Sequence, residues 1–143
     1  MQKCIVKNLK ETEVLAKKFA KTLKGGTIVL LNGDLGAGKS TFTKSLFKAL
    51  GVKDAVTSPT FTLLKEYKTK KFELYHFDMY RIENENEAIE FGVEEYFNNA
   101  NAVNVIEWYQ KINGLIPDNY ILIKINKIGE TSREFEFYYN ENK

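Results

Sequence analysis

Apolar and polar positions along the chain alternate between two periods. Cys4–Leu9 is a short apolar run that predicts a strand, and Asn8 followed by Glu11 makes a helix-capping pattern. In the next stretch Val14, Leu15, Phe19, Ala20 and Leu23 share one face at helical spacing, while Lys17, Lys18, Lys21 and Lys24 take the solvated side. Gly25–Gly26 is expected to cap that helix. Thr27–Leu31 is apolar or β-branched without alternation, which predicts a central strand buried on both faces. After a glycine-rich stretch, a second helix is expected over 39–50, with Phe42, Leu46, Phe47 and Leu50 on one broad face.

The middle of the chain changes character. FTLLKEY (61–67) and FELYHFDMY (72–80) are aromatic-rich runs flanking KTKK, and they predict a hairpin. The second run alternates, with Leu74, His76 and Asp78 on one side. It is expected to be partly exposed and to deliver Asp78 from the flank. The acidic stretch Asn84–Asn99 predicts short helices over Glu85–Phe91 and Val93–Phe97, separated by Gly92. AVNVIEW (102–108) reads as another buried strand, ending at Glu107, and GLIPDN (114–119) as a turn. YILIKINKI (120–128) and SREFEFYY (132–139) alternate strictly enough to predict an antiparallel pair closing the fold.

Composition narrows the function classes. A chain of 143 residues suggests one domain over 1–143 that needs no covalent staple. One cysteine and one histidine exclude an internal disulfide and a zinc site built from them. With 21 basic and 19 acidic residues, the charge leaves no footprint for independent nucleic-acid binding. No apolar run has the length of a signal peptide core or a membrane span, so a cytoplasmic location is expected.

The chemistry concentrates in LLNGDLGAGKST, Leu30–Thr41. Gly33-x-x-x-x-Gly38-Lys39-Ser40 matches the phosphate-binding-loop pattern in full. Glycines let the backbone wrap so that successive N–H groups point at one centre, and the following helix presents its positive end. Lys39 would reach the β- and γ-phosphates, and the Ser40 hydroxyl would ligate magnesium. The dinucleotide pattern G-x-G-x-x-G is the rival, but position 35, counted from Gly33, carries no glycine. Nucleotide hydrolysis also needs a carboxylate at a strand end. Asp78 and Glu107 both qualify, and sequence physics does not separate metal ligand from water-orienting base. Ser58–Pro59–Thr60 is a turn signal, with Thr60 placed to sense a γ-phosphate. His76 is expected to be a packed structural residue, and Trp108 to lie at the site edge.

These pieces together resemble one family, the small P-loop ATPase of bacterial tRNA threonylcarbamoyladenosine biosynthesis, the TsaE or YjeE family. The resemblance rests on GDLGAGKST (33–41), SPTFTLLKEY (58–67), YHFDMYR (75–81), GVEEYF (92–97) and IEW (106–108), in that order. It implies an α/β fold: a P-loop NTPase core with a mixed β-sheet flanked by helices and antiparallel strands in the middle and at the C-terminus. It implies ATP with Mg2+, and slow hydrolysis by the chain alone. It also implies work in a complex with the two paralogous proteins of the threonylcarbamoyl transferase. That complex modifies adenosine 37 of tRNAs reading codons that begin with A, so tRNA is met only through it and no membrane is involved.

By the same resemblance the nucleotide contacts run over Gly33, Leu35, Gly36, Ala37, Gly38, Lys39, Ser40 and Thr41. Thr12 lies near the adenine, and Trp108, Gln110 and Arg133 complete the set. Lys39, Thr60, Asp78 and Glu107 form the implied catalytic group, with Ser40, Asp78 and Glu107 around the metal. No second arginine is expected beside the loop, and Arg81 is the nearest by motif. Two other readings stay open: a small-molecule kinase on the same core, and an ATP-dependent docking switch with little catalysis.

Overall fold

Strand β2 (Ile28–Asn32) lies in the middle of the molecule because its residues are apolar on both faces, and all but Asn32 are buried. It pairs in parallel with β5 (Ala102–Glu107) on one side and β6 (Tyr120–Lys127) on the other. The computed structural model describes residues 1–34 and 36–140. Among these, β1 (Gln2–Val6), β3 (Leu64–Lys68), β4 (Glu73–Asp78) and β7 (Arg133–Asn140) complete a seven-stranded sheet in the order β1-β7-β6-β2-β5-β4-β3. β4 is parallel to β5, whereas the β3–β4, β6–β7 and β1–β7 pairs are antiparallel. The sheet is therefore mixed, with its parallel core at β6-β2-β5-β4.

Helices cover both faces. α1 (Leu9–Ala20) and α2 (Lys39–Ala49) pack on the face that presents Val29, Leu31, Leu74, Val105, Phe135 and Phe137. The opposite face carries Ile28, Leu30, Tyr75, Phe77 and Ile106. It is covered by α3 (Glu85–Phe91), α4 (Val93–Phe97) and a kinked 3-10 helix (Tyr109–Leu115). Among the described residues no helix is long and apolar enough to cross a membrane.

Several expectations shift. β1 spans Gln2–Val6 rather than Cys4–Leu9, because Asn8 caps α1 through its side chain on the Glu11 N–H and so pulls Leu9 into the helix. α1 stops at Ala20 with Lys21 as its cap, four residues before Gly25–Gly26. Its inner face is Thr12, Ala16, Phe19 and Ala20, while Val14 is 50% exposed. Thr12 and Ala16 face inward beside Phe19 and Ala20, and Val14 lines the outer groove between α1 and α2. β4 is not a half-exposed flank strand: it runs between β5 and β3, with Leu74 to Asp78 all buried. Its alternation separates two buried faces, not core from solvent.

Candidate active site

Parallel strands β2, β5 and β4 all end at one edge of the sheet, at Asn32, Glu107 and Asp78. In open α/β sheets that edge is where ligands bind, because loops and helix N-termini converge there. The loop after β2 makes a close turn. A Cβ on Gly33 would sit 2.8 Å from the Ile125 carbonyl oxygen and 3.2 Å from Ala37 Cβ, so a side chain there would force the loop outward. Gly38, at φ +110°, adopts a left-handed conformation that L side chains rarely take. It is also the N-cap of α2, and it supplies no side-chain cap. No acidic residue lies in the first turn. The leading N–H groups and positive end of α2 are thus left for an outside anion, at a terminus where Ser, Thr, Asp or Asn would otherwise close the helix.

Lys39 opens α2 yet is buried, its side chain only 8% exposed. Its ammonium lies 4.7 Å above the Trp108 ring and 4.0 Å from Glu107 Oε1. Trp108 takes φ 58°, which turns the chain sharply after β5, and its ring stacks on Tyr80 at 4.9 Å. Glu107 is itself 5% exposed, and its second oxygen is 2.7 Å from His76 Nε2. His76 follows from register. Asp78 pairs with Glu107 across the strands and His76 with Val105, so all share one face and His76 reaches Glu107 diagonally.

Asp78 ties down the segment that precedes β3. Thr60 Oγ1 donates to Asp78 Oδ2 at 3.1 Å, and Ser58 Oγ lies 2.6 Å from Thr60 Oγ1. The other carboxylate oxygen accepts the Tyr80 N–H at 3.0 Å. Pro59 supplies its carbonyl to the Thr62 and Leu63 N–H groups, closing the turn that the Ser-Pro-Thr run implies. On the other side of the glycine loop, Arg133 Nε donates to the Ala37 carbonyl at 2.9 Å and Nη2 to the Gly36 carbonyl at 3.3 Å.

The family model for threonylcarbamoyl adenosine biosynthesis protein TsaE matches residues 6–135. The chain belongs to the TsaE family. It is 42% identical over 130 residues to the tRNA threonylcarbamoyladenosine biosynthesis protein TsaE of Bacillus subtilis, covering 91% of this chain and 80% of that one. Its identity to the TsaE protein of Aquifex aeolicus is 36% over 140 residues, covering 96% of each. The crystal structure of YdiB from Bacillus subtilis superposes with a TM-score of 0.80 at 36% identity, covering 99% of this chain and 86% of that one.

Within this TsaE-family site the structure brings Gly33, Gly36, Ala37, Gly38, Lys39, Asp78, Glu107, Trp108, Thr60 and Arg133 to one edge of the sheet or into direct contact with residues there. Ser40 and Thr41 are exposed on the first turn of α2. Leu35 lies outside the described residues. Thr12 is buried, with its hydroxyl on the Asn8 carbonyl, so it braces α1 and does not line a surface. Gln110 is exposed on the 3-10 helix and has no hydrogen bond to the loop among the described residues. A groove of about 790 Å3 between α1 and α2 runs from Thr41 past Lys44 and Ser45 to Leu9, Lys10 and Glu13. The Arg81 guanidinium lies 4.4 Å from the Phe61 ring, in a pocket it lines together with Thr60 and Asp78.

The residue that sequence reasoning undervalues is His76. Its aromatic neighbours suggest packing, and it does lie edge-on to Phe47. Only the parallel pairing of β4 with β5 puts its Nε2 on Glu107. Among the described residues no group of three or more His, Cys, Asp or Glu could hold a metal by itself. The oxygens present at this edge, the Glu107 carboxylate and the Ser40 hydroxyl, are hard donors that fit magnesium, which takes only one or two protein oxygens and the rest of its shell from phosphates and water.

Proposed function

We propose that this chain is the ATP-binding and ATP-hydrolysing subunit of the machinery that makes threonylcarbamoyladenosine at position 37 of tRNA. It works with the two paralogous proteins of the transferase complex, and tRNA reaches it through them. The observation that carries the reading is the buried Lys39 at the mouth of an uncapped helix, with Glu107 4.0 Å away, in a chain of the TsaE family.

Each residue has a part. The backbone N–H groups of the 33–40 loop, with the N-terminus of α2, hold the phosphates. Lys39 neutralises charge on the β- and γ-phosphates. Ser40 and Glu107 supply the oxygens for magnesium, which when bound draws off charge that builds on the phosphate oxygens. Glu107 also orients the attacking water, because Oε1 is the carboxylate oxygen left facing the loop. Both oxygens of Asp78 already accept hydrogen bonds, from Thr60 and from the Tyr80 backbone. Asp78 therefore positions Thr60, and with it the 58–63 turn, beside the γ-phosphate. The groove from Thr41 to Leu9 takes the ribose and base, with Thr12 bracing its α1 wall.

Charge stabilisation in the isolated chain is thin. Arg133 donates to backbone carbonyls, and Arg81 lies over Phe61. An arginine supplied by a partner raises related reactions by roughly 10³–10⁵. The test is phosphate release by the chain alone and with its purified transferase partners and tRNA, with Lys39→Ala in parallel. Slow release that the partners raise, and that Lys39→Ala abolishes in both settings, is the expected result. Equal turnover with and without the partners overturns it.

A further inference from the structure

We infer that His76 is a positioning residue that holds the Glu107 carboxylate off the Lys39 ammonium, so that both charges meet the nucleotide and not each other. The inference rests on the phosphate-loop reading above. Lys39, Glu107 and His76 are all buried, with side chains 8%, 6% and 2% exposed. In a site of low local dielectric, opposite charges attract more strongly than in water. A relaxed ammonium–carboxylate contact closes to about 2.7–2.9 Å. Here the two groups stay at 4.0 Å. Each is held by a different neighbour: Glu107 Oε2 by His76 Nε2 at 2.7 Å, and Lys39 by the Trp108 ring at 4.7 Å.

The surroundings of the imidazole say how it does this. His76 Nδ1 is buried and has no hydrogen-bond partner among the described residues. A proton on Nδ1 would be an orphan donor in an apolar pocket beside Phe47, whereas a bare lone pair costs less there. The proton therefore sits on Nε2 and is donated to Glu107. This fixes the orientation of the carboxylate, with Oε2 tied down and Oε1 on the side of Lys39. Asp78 and Thr60 cannot replace this anchor, because their hydrogen bond is made to each other. Without His76, Glu107 would close on Lys39 and occupy the ammonium meant for phosphate. Outer hydrogen bonds of this kind orient carboxylates and imidazoles at many metal sites.

Two measurements on the full chain test this. The first is ADP binding by calorimetry without magnesium, which reads the availability of Lys39 and not turnover. His76→Leu, which removes the donor but keeps an apolar side chain, should weaken ADP by about tenfold, the scale on which outer partners act. His76→Gln, whose amide reaches the Nε2 position, should restore most of that loss. In the double variant His76→Leu/Glu107→Gln the loss should also vanish relative to Glu107→Gln alone, since a neutral amide cannot capture Lys39. The second is ¹⁵N NMR of the imidazole, unambiguous because the chain has a single histidine. It should show the Nε2–H tautomer.

An affinity loss that persists in the double variant makes His76 merely structural and overturns the inference. So does wild-type affinity in His76→Leu, or an Nδ1–H tautomer. If His76→Leu does not fold, the tautomer still decides. Failure of the underlying reading looks different: Lys39→Ala would then still bind ADP.

Discussion

Arg133 Nε donates to the carbonyl of Ala37 at 2.9 Å, across 96 residues of sequence. The same guanidinium reaches Gly36 through Nη2, while Nη1 donates to the carbonyls of Gly129, Glu130 and Ser132. One planar fork thus clamps the glycine loop to the turn between β6 and β7, holding loop carbonyls outward so that N–H groups can face a phosphate. Lysine has the charge but not the fork. Arg133→Lys is expected to weaken ADP binding by about tenfold, since a hydrogen bond to a charged group contributes roughly 1.5–3 kcal/mol and some contacts survive. Calorimetry with ADP checks this, and unchanged affinity would remove the clamp from the account.

Lys39→Ala should lose nucleotide binding outright, to beyond the range of ordinary calorimetry. The substitution removes the phosphate partner and also strips Glu107 of its nearby opposite charge. A circular dichroism spectrum like that of the unaltered chain would show that the fold survives, because α2 begins at Lys39 with its apolar face on Phe42, Leu46 and Phe47 intact.

Glu107→Gln should separate chemistry from binding. The amide keeps the size of the side chain but gives up the charge that faces the loop. Turnover is expected to fall by about 10²-fold, the scale of losing a general base, while affinity for ATP changes much less. Single-turnover phosphate release beside equilibrium ATP binding measures the two quantities separately. A loss confined to binding would contradict the assignment.

Thr60 is held to Asp78 by one hydrogen bond at 3.1 Å, and it carries the 58–63 turn with it. Thr60→Ala should release that turn. Amide hydrogen exchange over 58–63 is expected to speed up, by an amount set by about 1 kcal/mol of lost side-chain bonding. Exchange in the buried strand β5 should stay as it is. Faster exchange in both places would mean that Thr60 supports the sheet and not the turn.

Phe61 lies within that turn but on its solvent side: it is 81% exposed and lies under the Arg81 guanidinium. Exposed aromatics of this kind are typical anchors of protein interfaces. Phe61→Ala is expected to reduce the stimulation of ATP turnover by the transferase partners about tenfold while leaving turnover of the isolated chain alone. Side-by-side phosphate release with and without the partners distinguishes the two, and full stimulation of the variant would place the contact elsewhere.

The helices α3 and α4 fall at the boundaries expected from sequence. Their limits are local: Asn84 caps one with its own side chain, and Gly92 ends it in a left-handed turn. The phosphate loop is legible for the same reason, since its glycines, lysine and hydroxyls are contiguous. Helix α1 shows where local reading fails. Hydrophobicity favours Val14 for the core, but Val14 lines the outer groove while Thr12 and Ala16 face inward. Strand β4 shows it again. A strand with one buried face and a strand buried between two helical layers can alternate in the same way, and only its pairing with β5 tells them apart.

The chain by itself therefore determined the element types, the anion-binding loop and the carboxylates at strand ends, because these depend on neighbours a few residues away. The tertiary structure decided which groups meet. It set His76 against Glu107, kept Lys39 at a distance, locked Thr60 to Asp78 and brought Arg133 onto the loop. These contacts span 18 to 96 residues and arise from strand order and register, which no local pattern encodes.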